Sequence, residues 1–140
     1  MYCETCSESF SNIFMDHFQN PRNTGYLIDA DAEGKAGDPE CGDHLVISIK
    51  VRNKRIEDIC FLVYGCSAAI ATSSITTELA KGKTLDEALK ITDNDVANAL
   101  GGLPEVKMHC SLLGPVALKN AIKNYYDRIE DMKKCLMYHD

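Results

Sequence analysis

Apolar residues recur at helical spacing near the start of the chain, where Phe10, Ile13, Phe14 and Phe18 share one face of the segment Ser7 to Gln19. That spacing predicts a short amphipathic helix. The turn formers Asn20-Pro21-Arg22-Asn23-Thr24-Gly25 then end it and reverse the chain. Further on the period becomes that of a strand. Leu45, Ile47, Ile49 and Val51 alternate with Val46, Ser48 and Lys50, and Ile56 to Tyr64 is rich in β-branched and aromatic residues. Two strands are predicted, joined as a hairpin by Arg52-Asn53-Lys54-Arg55.

Helical spacing returns after Gly65, with Ile70, Ser74, Thr77 and Ala80 on one face and a stop at Lys81-Gly82. Thr72, Ser73, Ser74, Thr76 and Thr77 read as a small-residue face for close packing rather than as nucleophiles. Thr84 is placed to cap a helix over Leu85 to Ile91, and Asp93 to start another through Leu100 that closes at Gly101-Gly102. Leu118, Ile122, Tyr125, Ile129, Met132 and Leu136 form the stripe of a long core-packing helix with Pro115 in its first turn. The order of elements predicts an α+β fold: a small antiparallel sheet of about three strands, covered by helices and followed by a long C-terminal helix. No repeat, low-complexity tract or linker interrupts the chain, so residues 7–140 are expected to form a single domain and residues 1–6 a flexible tail.

A chain of 140 residues that is 45% apolar can bury one core. Its net charge of -6 is spread through interspersed acids and bases, leaving no basic stripe for nucleic acid or an anionic lipid surface, so no nucleic-acid or membrane partner is expected. The longest apolar stretch, Ile59 to Ala71, is too short to cross a bilayer. Met1-Tyr2-Cys3-Glu4-Thr5-Cys6 lacks the basic head and apolar run of an export signal, which points to the cytoplasm. Seven cysteines, an odd number, then argue for free thiols, metal ligands or a nucleophile rather than a disulfide framework.

Three of those cysteines fall at predicted junctions: Cys41 before a strand, Cys66 between strand and helix, Cys110 before the last helix. Cys41-Gly42-Asp43 sets a thiol and a carboxylate two residues apart, on one side of an extended backbone. Cys66 starts a helix, where free N–H groups and the positive dipole end favour the thiolate that binds metal. Cys110 occupies a similar start with His109 beside it. Neighbouring residues seldom aim at one point, so His109 and Cys110 are expected to alternate or share a role. Cys60 and Cys135 read as packing, and His17 and His44 as structural. Cys3 and Cys6 form a C-x-x-C that is either an incidental pair or a redox or metal-capturing arm. None of Cys41, Cys66 and Cys110 belongs to a paired knuckle, so spacing alone leaves a shared metal site open.

At these residues the sequence resembles the U-type iron-sulfur scaffold family, comprising IscU and the N-terminal domain of NifU. Asp16-His17-Phe18-Gln19-Asn20-Pro21-Arg22-Asn23, Cys41-Gly42-Asp43, Tyr64-Gly65-Cys66-Ser67-Ala68-Ala69-Ile70-Ala71 and Lys107-Met108-His109-Cys110-Ser111-Leu112 match its four motifs in order. The resemblance implies a scaffold and carrier rather than an enzyme. Such a scaffold accepts persulfide sulfur from a cysteine desulfurase, binds iron, assembles a labile 2Fe-2S cluster and passes it to apo iron-sulfur proteins or carriers. It also implies that Cys41, Asp43, Cys66, His109 and Cys110 form the binding set, with Cys110 the first sulfur acceptor. The same set can hold zinc tetrahedrally. Homodimer formation stays open.

Departures from the family pattern bear on partners. Leu103-Pro104-Glu105-Val106-Lys107 carries an acid where the family's chaperone segment has a second proline, which puts dependence on an Hsp70-type chaperone in question. Phe10 replaces a common tyrosine and Ser67 a glycine. Two rival functions are weaker. A zinc hydrolase would need a water-activating acid near the metal, which His109-Cys110-Ser111 does not offer. A thiol-disulfide protein built on Cys3 and Cys6 would lack the flanking thioredoxin-like elements.

Overall fold

A computed structural model of the chain describes residues 11–37, 43–103 and 105–138, without the side chains of residues 105–107, 109 and 136–138. Its elements are α1 (Asn12–Gln19), β1 (Ala32–Gly37), β2 (His44–Arg52), β3 (Arg55–Tyr64), α2 (Ser67–Ala80), α3 (Leu85–Leu89), α4 (Asp93–Ala99), a 3-10 helix (Glu105–Leu112) and α5 (Leu113–Tyr138). The three strands form an antiparallel sheet in the order β1-β2-β3. This is the predicted α+β arrangement, with the long helix at the C-terminal end.

The predicted hairpin is present. Asn53 and Lys54 both take positive φ (55° and 62°), the geometry of a tight two-residue turn whose twist suits the flanking strands. Pairing of Ile47 with Phe61 and of Ile49 with Ile59 puts these side chains on one face, where all four are buried with Leu45. Phe14 from α1 and Leu118 and Ile122 from α5 complete the same core. Burial of each such side chain stabilises the fold by about 1.5–3 kcal/mol.

The hydrophobic pattern did not place β1, because Ala-Glu-Gly-Lys-Ala-Gly has no β-branched or aromatic residue. Close approach explains the composition. A Cβ on Gly34 would collide with the α5 main chain at Ala117 and Ala121. Along the free edge of β1, α5 supplies three donors spaced by one helical turn. Asn120 Nδ2 donates to the Lys35 carbonyl (2.8 Å), Asn124 Nδ2 to that of Glu33 (2.7 Å) and Arg128 Nη1 to that of Asp31 (2.6 Å). The outer edge of β3 is bonded too: Phe61 exchanges hydrogen bonds with Asn23 and Gly25, and Ile56 with Gly82 and Lys83.

Several predicted boundaries move. Within the described residues α1 begins at Asn12, capped by Ser11, whose hydroxyl accepts from Phe14 N and donates to the Leu100 carbonyl. Ile13, predicted to face inward, is 48% exposed, and His17 takes the inner position instead. Its Nδ1 lies 2.8 Å from Ser74 Oγ, which also accepts from Arg22 N, while Asn23 Nδ2 donates to Thr77 Oγ1. The turn after α1 is therefore also a clamp onto α2. Thr72, Ser73, Ser74, Thr76 and Thr77 are all buried, as a close-packing face requires. Both short helices carry capping boxes, Thr84 with Glu87 and Thr92 with Asp95, so the cap of α4 is Thr92 and Asp93 is its first residue.

Pro115 lies in the first turn of α5 as predicted. Full burial along that helix stops at Ile122, however; Tyr125 is only partly buried against the core and Met132 is 57% exposed, so the stripe packs on the core only in its first half. Among the described residues no helix is long and apolar enough to cross a membrane.

Candidate metal centre

Strand register builds the first half of the site. His44 pairs with Tyr64 at the end of the β2–β3 ladder, so Asp43, one residue before β2, and Gly65, one residue after β3, stand across from each other. Gly65 has no side chain to obstruct this approach: a Cβ there would meet Asp43 Oδ1 at 2.5 Å. The next residue, Cys66, is the N-cap of α2 and makes no side-chain capping hydrogen bond.

Cys110 arrives from the 3-10 helix packed on α2. Thr72 Oγ1, six residues along α2 from Cys66, lies 3.2 Å from the Cys110 carbonyl and 2.7 Å from that of Ala68. Ser111 Oγ donates to the Met108 carbonyl and tightens the same turn. The result is a separation of 3.8 Å between Cys66 Sγ and Cys110 Sγ. A carboxylate oxygen of Asp43 and these two sulfurs all lie within 4.8 Å of one another. Asp43 and Cys66 are half-buried, whereas Cys110 is 0% exposed. Cys110, expected just before the last helix, instead sits inside a 3-10 helix with its side chain against the core.

The donor set suits a metal. Two sulfurs each about 2.3 Å from one tetrahedral ion lie roughly 3.8 Å apart, the spacing found between Cys66 and Cys110. Thiolates are soft ligands and the carboxylate a hard one, a mixed set that accommodates iron or zinc. Of the residues singled out from sequence, Asp43, Cys66 and Cys110 are brought together. Cys41 lies outside the described residues, as do Cys3, Cys6, Pro104 and the side chains of Glu105, Val106, Lys107 and His109.

Cys60 stays apart in β3, half-buried, where burial pushes its thiol up and Asp58 adds to the effect. Cys135, expected to pack, is exposed on the free half of α5. Sequence reasoning quoted Gly65 and Thr72 only as parts of larger patterns and missed their positioning roles. A glycine between a strand end and a cysteine was the available signal for the first, and nothing in the sequence marked the second.

Known proteins resemble this chain in sequence and in fold. The model of the NifU-like N terminal domain matches residues 9–132. The iron-sulfur cluster assembly scaffold protein IscU 1 of Archaeoglobus fulgidus is 60% identical over 117 residues, covering 84% of this chain and 76% of that protein. The iron-sulfur cluster assembly scaffold protein IscU of Aquifex aeolicus is 45% identical over 133 residues, covering 91% of this chain and 85% of that one. Among solved structures, a putative iron-sulfur cluster assembly scaffold protein from Fervidobacterium islandicum shares the fold at a TM-score of 0.66 and 22% identity, over 82% of this chain and 97% of that one. With four ordered motifs, the α+β fold, the clustered thiols and a family match spanning nearly the whole described sequence, the chain belongs to the NifU-like N-terminal domain family.

Proposed function

We propose that this protein is a scaffold on which an iron-sulfur cluster is assembled and from which it is handed on. The observation that carries the reading is the convergence of Asp43, Cys66 and Cys110, far apart in sequence, within 4.8 Å. The names of the relatives at 45–60% identity support it. Here the cluster is cargo rather than a resident cofactor. Cys41, Cys66 and Cys110 supply thiolates, Asp43 a carboxylate, and His109 an imidazole that shares or alternates with Cys110. Sulfur comes as a persulfide from a cysteine desulfurase and ends on Cys110. A 2Fe-2S cluster forms with iron and passes to apo-proteins in the cytoplasm, without catalytic turnover of a substrate. The same donors hold a zinc ion when no cluster is loaded.

Lability follows from ligand type. Iron-sulfur clusters are held by thiolates, and a carboxylate is the poorer match, so Asp43 makes the cargo releasable. Asp43→Ala is expected to lengthen the life of a reconstituted cluster several-fold, followed by the loss of visible absorption after a chelator is added. Decay at the wild-type rate in a folded Asp43→Ala protein would remove the carboxylate from this role.

A further inference from the structure

Sulfur delivered as a persulfide is two electrons short of the form a cluster contains. The outer sulfur of a persulfide stands at the oxidation level of the element, whereas the bridging sulfur of a 2Fe-2S cluster is sulfide. Cys41, Cys66 and Cys110 cannot supply those electrons and remain ligands, because two thiols that give up an electron each become a disulfide. Cys3-Glu4-Thr5-Cys6 is a further thiol pair, outside the binding set. Its C-x-x-C spacing suits a dithiol that closes to a disulfide and opens again.

The pair is tethered beside the metal centre. The described residues open at Ser11, whose hydroxyl donates to the Leu100 carbonyl at the end of α4, and α4 packs on the 3-10 helix that carries Cys110. The course of α1 gives the same placement. His17 meets Ser74, and beyond it Asn23 meets Thr77 and Arg22 meets Glu78, so α1 and its turn advance along α2 away from Cys66. Ser74 lies about 12 Å along α2 from Cys66, and Ser11 about 9 Å back along α1 from His17, at about 1.5 Å per residue. Ser11 therefore stands near the level of Cys66, one helix spacing of about 8–10 Å to the side. Cys6 is five residues before Ser11, a reach of up to roughly 17 Å that exceeds this spacing.

We propose that Cys3 and Cys6 are a dithiol that reduces the persulfide on Cys110 to sulfide, an inference that rests on the scaffold reading above and supplies the electrons it leaves unassigned. In the first step the Cys6 thiolate attacks the outer sulfur of the Cys110 persulfide. A bond from Cys6 Sγ to that sulfur forms, its bond to Cys110 Sγ breaks, and Cys110 keeps the electron pair and takes up the proton that Cys6 lost. In the second step the Cys3 thiolate attacks Cys6 Sγ. The Cys3–Cys6 disulfide forms, and the outer sulfur leaves with the electron pair as hydrosulfide, taking the proton that Cys3 lost. The sulfane sulfur gains two electrons and the two thiols lose one each. Cys110 is restored as a thiol ligand, and a soluble dithiol reductant of the thioredoxin class reopens the Cys3–Cys6 disulfide for the next sulfur.

The test uses the full chain, reduced and freed of small thiols, with a cysteine desulfurase and limiting cysteine, under anaerobic conditions and without iron. Released sulfide is measured, and alkylated peptides are mapped by mass. The wild type is expected to release sulfide in equal amount to the Cys3–Cys6 disulfide it forms. Cys3→Ser is expected to lose sulfide release and hold the extra sulfur on the Cys6 peptide, and Cys6→Ser to hold it on the Cys110 peptide. Wild-type sulfide release from a protein carrying both substitutions overturns the reduction and leaves the acceptor reading standing. A disulfide of Cys66 with Cys110 in place of Cys3 with Cys6 does the same, as does retention of the extra sulfur on Cys110 of the wild type while Cys3 and Cys6 stay open to alkylation. Absence of the extra sulfur from Cys110 in every variant, with no sulfide from the wild type, removes the acceptor reading and the reduction together.

Discussion

Gly65 contributes to the site by lacking a side chain. A methyl group there would meet Asp43 Oδ1 at 2.5 Å and Ala69 Cβ at 3.1 Å, so Gly65→Ala displaces the carboxylate while keeping its charge on the chain. The variant is expected to slow cluster loss much as Asp43→Ala does, and the two changes together should add little, because both act through one contact. Additive effects on chelator-driven decay would show that Gly65 acts elsewhere. In the core, Phe14→Ala should cost about 3–5 kcal/mol, read from the urea midpoint, since its ring is 0% exposed. Asp43, Cys66 and Cys110 were legible in the sequence because thiols and a carboxylate at element junctions are chemically conspicuous. The burial of Cys110 was not, because the 3-10 helix that carries it has no apolar periodicity to announce a packed face.

Elements with a strong period were read correctly in type, whereas β1, whose composition answers to close approach of a helix, was not placed. The β2–β3 hairpin and the start of α5 follow alternation and helical spacing. β1 is set by the main chain of α5 beside Gly34, a constraint that selects small residues and erases the strand signal. Gly34→Ala is therefore expected to destabilise the fold by about 1–3 kcal/mol or more, through overpacking against backbone that cannot rotate away. Urea unfolding measures it, and an unchanged midpoint would mean that the helix and strand separate more easily than their contacts imply. α5 was legible as a helix but misread as core-packing throughout. Its stripe continues past Ile122, yet full burial does not, and no local pattern reports where close packing ends.

For the molecule as a whole, acid stability should depend on the clamp between α1, the following turn and α2. His17 is held below the ordinary imidazole value, first by burial and then by the Arg22 guanidinium, with Glu78 and Asp16 opposing. The unfolded chain takes up its proton near the ordinary value of about 6.5, while the folded protein does not. Stability is thus fully present above that pH and declines as pH falls below it. Asp16 and Asp29 are held below the ordinary carboxylate value by hydrogen bonds from Arg22 and Lys50, so their contribution fades only at more acidic pH. Between about pH 6.5 and 5, urea midpoints of the wild type should fall, and His17→Gln should flatten that slope. An equally steep slope in the variant would move the effect to other groups.

The bonded margins of the sheet carry a further consequence. With β1 covered by Asn120, Asn124 and Arg128 and β3 engaged at Ile56 and Phe61, incoming backbone finds few open peptide groups to extend the ladder. Fibril-like stacking by strand addition is disfavoured. Among the described residues, the sheet therefore presents a partner with side chains rather than with an open backbone edge.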